Sequence, residues 1–342
     1  MPSSLIAGLG NSLLARFASN AFWMARYMER AENLARLLDV NETFARDSQG
    51  VQDWLPIVQL HIDDEPFFKL YAQADAPSVL EFYILERRNP NAIVSAVAVA
   101  RENARSLRHL ISTELWLHLN MFHNRLMAMR PADLALETVS ELCRTVKEDC
   151  QLHAGIAEGT LYRDQVWSFY RIGKTIERLD QTTRLLDIKY HRLGPSSDKA
   201  GELIDTAQWN ALLRSAAGYQ AFRRVYPTGM RRENVIRFFL YDRAFPRSVG
   251  LCVDELGKEL DGLGRAKRAT GWPEVAMSHD ALRALVRLDD AAAPVAEGDL
   301  HRHIDDIQLG LIRLTDALGR AFLGARPDDA EATAGQDQVQ AG

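Results

Sequence analysis

Two stretches of the chain set carboxylates and guanidiniums at helical spacing. Residues 29–39 read ERAENLARLLD and residues 177–187 read ERLDQTTRLLD. On a helix, Glu32 and Arg36 are i,i+4 neighbours, and Arg36 and Asp39 are i,i+3 neighbours. With Arg26, Glu29 and Asn33 they occupy the half of the helix opposite Trp23, Tyr27, Ala31, Leu34 and Leu38, an apolar stripe that belongs in a core. Glu177, Arg178, Asp180, Arg184 and Asp187 repeat the arrangement. Three kinds of chemistry are open to such a face. A carboxylate among Glu29, Glu32, Glu177 and Asp180 could act as general base on a peptide or amide, beside Arg36 and Arg184. Arg26, Arg36 and Arg184 could receive an anionic group or a partner. Or the charges could pair with one another, as solvated ion pairs worth about 0.2–0.5 kcal/mol each or as a buried network in which the planar guanidinium fixes helix register.

The repetition favours the buried network. Glu29, Arg30, Arg36, Leu37, Leu38 and Asp39 recur 148 positions later, with Glu32 becoming Asp180 and Asn33 becoming Gln181. Surface pairs of so little value should drift after a duplication. The self-similarity continues: Trp54 pairs with Trp209, FYILERRNP (82–90) with FFLYDRAFP (238–246), and Trp116 with Trp272. The sequence therefore predicts two related helical halves, about 1–160 and 161–325, packed as one domain, followed by a disordered tail, 326–342. If the network is buried, Arg36→Ala and Arg184→Ala should each cost on the order of 2–4 kcal/mol.

A second polar cluster lies in ARENARSLRHLISTELWLHLN (100–120), where Arg101, Glu102, Asn103 and Arg105 echo the first helix. It reads either as a surface helix or as a face turned toward the Glu/Asn/Arg groups of residues 26–39. Other chemistry is missing from the sequence. There is no Gly-rich phosphate loop, no GxSxG and no HExxH, so no cofactor is expected. Glu114 and His118 have poor ligand spacing, and no metal site is expected. His301 and His303 read as surface residues, and the HIDDE run (61–65) as a solvated acidic loop.

The elements that must carry these residues are helical. No strand alternation or hairpin turn is evident. Prolines at 56, 66, 77, 90, 131, 195, 227, 246, 273 and 294 punctuate helices expected at 12–47, 52–61, 66–73, 78–87, 91–129 (with a break near Ser112), 132–158, 162–192, 205–225, 231–242, 247–262, 278–289 and 297–323. The fold class is all-α, a multi-helix bundle. With 342 residues, 47% of them hydrophobic, there is ample material for such a core. A net charge of −5 argues against general nucleic-acid binding. The odd, sparse set Cys143, Cys150 and Cys252 is no disulfide framework and fits buried thiols in a reducing compartment. No signal peptide is visible and the longest membrane-like stretch, 92–100, is short, so a cytoplasmic protein without membrane partners is expected.

The segments FWMARYMERAENLARLLDVN (22–41), ARENARSLRHLISTELWLHLN (100–120), GIAEGTLYRDQVWSFYRIGKTIERLDQTTRLLDIKY (155–190), QWNALLRSAAGYQAFRRVY (208–226) and FFLYDRAFPRSVGLCVDEL (238–256) resemble the bacterial Alpha-E domain family, a domain of unknown function. They stand in the family's order and cover most of 12–325. Its signature maps onto Trp23, Arg26, Tyr27, Glu29, Arg30, Ala31, Glu32 and Asn33, without catalytic roles to transfer. The resemblance implies an all-helical cytoplasmic protein associated with a circularly permuted ATP-grasp ligase and a transglutaminase-like cysteine peptidase. The function expected is that of a non-catalytic helical binding module partnering an amide ligase. The alternatives are an enzyme using the Glu/Asp/Arg cluster on a peptide or amide, and a homo-oligomeric structural protein.

Overall fold

The computed structural model describes residues 3–47, 54–192, 199–263, 269–287 and 299–324; the tail expected at 326–342 lies outside them. Among the described residues the chain is all helical. The first half runs α1 (Ser3–Asp47), α2 (Leu55–Leu60), α3 (Asp64–Phe68), α4 (Ala76–Ile84), α5 (Ile93–Ser106), α6 (Thr113–Ala128) and α7 (Leu136–Thr160). The second runs α8 (Gln165–Arg192), α9 (Lys199–Ser215), α10 (Tyr219–Val225), α11 (Arg232–Tyr241), α12 (Val249–Gly262), α13 (Trp272–Leu285) and α14 (Asp299–Leu318).

Local chemistry sets the helix boundaries. Pro56, Pro77 and Pro273 sit in the first turns of α2, α4 and α13, where the missing N–H is no loss. Consequently α13 starts at Trp272, six residues before the expected start. The expected break near Ser112 is a cap, its hydroxyl accepting the Leu115 N–H at 3.1 Å. The helix expected at 205–225 is two helices, because Ala217 adopts φ 55°. There the Gly218 N–H reaches back to the Leu213 carbonyl at 2.7 Å, a left-handed helix ending. The other positive-φ residue that is not glycine, Ile62, ends α2 in the same way, with the Asp63 N–H on the Val58 carbonyl at 3.1 Å.

The two long helices α1 and α8 form the axis of the bundle and pack against each other more extensively than any other pair. Around them the packing partners correspond. Helix α1 rests on α5 and α7, which α6 joins; helix α8 rests on α12 and α14, which α13 joins. The stripe expected on α1 is the core in part: Ala31, Leu34 and Leu38 are buried, whereas Trp23 and Tyr27 only border it. All three cysteines are buried and unpaired, and burial pushes the Cys143 thiol up to about 12, making it inert.

Small residues let α1 and α8 approach closely. Ala21 and Ala25 are buried on α1, and on α8 a Cβ built on Gly173 would lie 2.2 Å from the Phe22 carbonyl oxygen. Only a hydrogen fits there. Gly173→Ala gains about 1 kcal/mol of helix propensity but forces the two backbones apart. We expect a net loss of about 1–3 kcal/mol, measured as a lower denaturant midpoint; unchanged or increased stability would show that the helices are not held this close.

Candidate functional site

The close crossing brings the two Glu-Arg dipeptides face to face, and each acid pairs with the arginine of the other helix. Arg178 donates from Nε and Nη2 to the two oxygens of Glu29, both at 2.9 Å. Arg30 donates from Nε and Nη2 to Glu177 at 2.6 and 3.1 Å, and Arg26 adds a third bond to Glu177 at 2.8 Å. Both acids are interior, with Glu177 0% and Glu29 2% exposed. Burial raises the pKa of Glu177, but Arg30 and Arg26 outweigh it and hold the carboxyl at about 2. Glu29 is likewise held well below the carboxylate range, Arg178 and Arg247 overcoming its desolvation. These bidentate, charge-assisted contacts are the buried network that the repetition favours.

Arg247 is part of this network, and sequence reasoning missed it. It precedes the Ser248 cap of α12 and reaches across to α1, donating to Glu29 at 2.8 Å, to Glu32 at 3.2 Å and to the Asn33 carbonyl oxygen. The signal was available: Arg247 stands 156 positions after Asn91, each immediately following the repeated Pro-ended block. Asn91 instead donates to Asp63 at 3.2 Å and accepts from Arg30 at 3.5 Å.

The remaining expected residues divide. Arg36 and Arg184 each pair with the acid four residues earlier. Arg36 bonds Glu32 at 2.6 Å and Arg184 bonds Asp180 at 3.0 Å, both within one helix. Arg30 and Arg178 make the corresponding bonds between the two helices. Asp39 ties α1 to α7 through Lys147 at 2.6 Å, and Asp187 ties α8 to α14 through His301 at 2.8 Å. Gln181 donates to Glu177 at 3.4 Å.

Arg101, Glu102, Asn103 and Arg105 do not face α1. The buried stripe Val97, Ala100 and Ala104 turns that side of α5 inward and leaves the charges outward. Arg101 bonds Asn120 on α6 at 2.8 Å, Glu102 pairs with Arg105, and Asn103 donates to the Val99 carbonyl. This cluster is a surface helix.

Two other expectations need correction. His61 and Asp63 of the HIDDE run are buried, not solvated. Asp63 accepts from the Tyr83 hydroxyl at 3.0 Å, and His61 meets the Ile57 carbonyl at 3.0 Å. Burial pushes Asp63 up and His61 down, each toward its neutral form. His301 and His303 are not plain surface residues. His303 meets the Tyr241 hydroxyl at 3.1 Å, while His301 sits between Asp187 and Asp305. The Asp187, His301 and Asp305 donors cluster as metal ligands could. Both ring nitrogens already face carboxylates, however, and the hydrogen bond to Asp187 raises the His301 pKa, as expected for an imidazolium ion pair.

Beside the ion pairs, α1, α7 and α8 enclose more titratable groups. His153 is fully buried with neither ring nitrogen hydrogen-bonded, and burial lowers its pKa to about 3. Burial also lowers the pKa of Lys174, against the pull of Glu29. On the other side lies a small pocket of about 30 Å³ between α1 and α8, bordered by the ends of α2 and α9 and by Arg247.

The acid limb of stability follows from these groups. His153 binds its proton near pH 6.5 when unfolded and near 3 when folded, so the unfolded state takes up more protons and stability falls as pH drops through that window. The contribution of Glu177, complete above about 4.5, is lost as pH falls toward about 2. We expect His153→Leu to flatten the upper part of this profile and Glu177→Gln to flatten the lower part. At neutral pH Glu177→Ala should cost about 3–5 kcal/mol, more than Arg36→Ala. Denaturant titrations from pH 7 to 3 check both; a profile identical to wild type in either variant would refute the assignment.

Comparison with known proteins agrees with this geometry. Residues 13–323 match a family model described as a predicted alpha-helical domain with a conserved ER motif. The chain is 26% identical over 286 residues to an uncharacterized protein of Mycobacterium bovis and to uncharacterized proteins of two Mycobacterium tuberculosis strains. The match takes in 77% of this chain but 31% of each relative, so the chain spans about a third of the length of these curated relatives. No solved structure matches the chain. With crossed Glu-Arg pairs at its centre and the family model covering most of its length, the chain belongs to the Alpha-E family.

Proposed function

We propose that this protein is a non-catalytic helical binding module that works with an ATP-grasp amide ligase in the cytoplasm, in a system that includes a transglutaminase-like peptidase. The observation that carries the reading is the use made of the repeated acids. Glu29 and Glu177 are bonded to arginines and held ionised. A general acid needs a raised pKa, and a general base needs an oxygen free for a substrate proton. An enzyme working through this cluster would have to break its own central ion pairs. The resemblance supplies the partner. The relatives support a modular role, since the matched region makes up less than a third of each. We also infer that the two halves arose by copying one helical unit. The crossed Glu-Arg pairs, the corresponding packing and the two left-handed helix ends at Ile62 and Ala217 support this.

The test is recovery from the native host. A tagged chain at native expression should co-purify with an ATP-grasp ligase, and the exposed Arg105→Ala control should recover it equally. Absence of the ligase from repeated purifications with crosslinking would overturn the reading.

A further inference from the structure

The small pocket between α1 and α8 lies where the two halves meet, and corresponding residues of both halves line it. Asn33 faces Gln181 across it, and Leu37 faces Leu185. Leu60 and His61 line it from one half and Ser215 and Ala216 from the other, each pair next to a left-handed turn, at Ile62 and Ala217. A positive φ is costly for a β-branched residue such as Ile62, and strain of this kind gathers at ligand sites. Here it lies one residue beyond the pocket lining in both halves.

Two side chains at this pocket, Asn33 and Arg247, keep unused N–H donors, whereas the Thr182 and Ser215 hydroxyls donate to backbone carbonyls. No carboxylate lines it. The Asn33 amide nitrogen is buried and has no hydrogen-bond partner. Arg247 spends three of its five N–H groups on Glu29, Glu32 and Asn33. The other two, one of them on Nε, have no partner among the described residues. Charge points the same way. Three buried glutamates, Glu29, Glu32 and Glu177, serve five arginines: Arg26, Arg30, Arg36, Arg178 and Arg247. Arg247 is the least exposed of these five, and a guest anion is the natural complement to its unpaired N–H groups.

The size and rim narrow the choice. About 30 Å³ seats one small polar group, and anything attached to it lies along the rim. Leu34, Leu37, Leu60 and Leu185 make the rest of the wall apolar. We propose that this pocket binds a carboxylate attached to a short aliphatic group, supplied by a free organic acid or by the C-terminus of a peptide. Arg247 and the Asn33 amide hold the carboxylate, and the leucines hold the aliphatic part. The link from such a ligand to amide formation rests on the function proposed above, but the binding itself does not. A chain that binds the carboxylate yet recovers no ligase overturns only the earlier reading.

Titration calorimetry of the full chain tests the site. The probes are isovalerate, its neutral analogue isovaleramide, the peptide Ala-Ala-Leu with a free or amidated C-terminus, and inorganic phosphate. The free acids should bind and the amides should bind about tenfold or more weakly, as loss of a charge-assisted pair requires. Tighter binding of the peptide than of isovalerate identifies a peptide end as the natural source; equal binding identifies a small acid. Because Arg247→Ala could fail to fold, the variants are Leu37→Trp, which fills the pocket from its half-buried rim, and Asn33→Leu. Both should remain helical by circular dichroism and lose binding at least tenfold (about 1.4 kcal/mol). The proposal is overturned if acid and amide bind equally, if phosphate binds better than the acids, if no acid binds at millimolar concentration, or if both variants bind as wild type does.

Discussion

The fold depends on two glutamates that have no water. Glu29 and Glu177 lie inside the bundle, and each is stable as an anion only because the opposite helix supplies its arginine. Moving such charges out of water costs several kcal/mol per ion, so the pairs are a weak source of net stability. Their stronger effect is on specificity. A shift of α8 by one residue along α1 would aim Arg178 away from Glu29 and leave both acids buried and unpaired. The register is therefore fixed by what the wrong registers would cost. The same argument couples the halves, because removing either long helix strands a glutamate in the other. Gly173 makes this geometry possible by letting the backbones touch.

The outer ties repeat the scheme with weaker chemistry. Asp39 holds α7 through Lys147, and Asp187 holds α14 through His301. The first tie pairs a carboxylate with a lysine at 2.6 Å. The second is charged only while the imidazole keeps its proton, which the hydrogen bond to Asp187 favours. The two halves thus share a plan and differ in the residues that carry it out.

Much of this was legible in the sequence. Helical periodicity, proline punctuation and the recurrence of Glu29-Arg30 as Glu177-Arg178 gave the fold class and the existence of a buried network. The recurrence could not say which arginine would cross. Arg36 and Arg184 stand as i,i+4 neighbours of acids in their own helices and pair with them; Arg30 and Arg178 have no such neighbour and reach across. The Arg101 cluster was ambiguous because charge pattern alone does not orient a helix. The alanines at 100 and 104 do, by marking the face that can approach α1. The HIDDE run was misread because polarity suggested solvent, whereas Tyr83 and Asn91, far along the chain, satisfy Asp63 in the interior. Boundaries at Ile62 and Ala217 were invisible because neither residue type announces a left-handed turn.

The place where the halves differ most is also where charge fails to balance. Position 91 carries a neutral asparagine and its counterpart, position 247, an arginine. Asn91 joins a neutral-leaning cluster with Asp63 and His61 on one side of the pocket. Arg247 brings a full charge to the other side and shares Glu29 and Glu32 with arginines that already neutralise them. A symmetric arrangement would need no such residue to hold the helices in register, since the crossed Glu-Arg pairs do that alone. Arg247 adds charge-assisted bonds to acids that other arginines also hold, at its own cost in desolvation. Its bonds to Glu29, Glu32 and Asn33 offset part of that cost, and its spare N–H groups make Arg247, more than the repeated motif itself, the residue at which the proposed guest would sit.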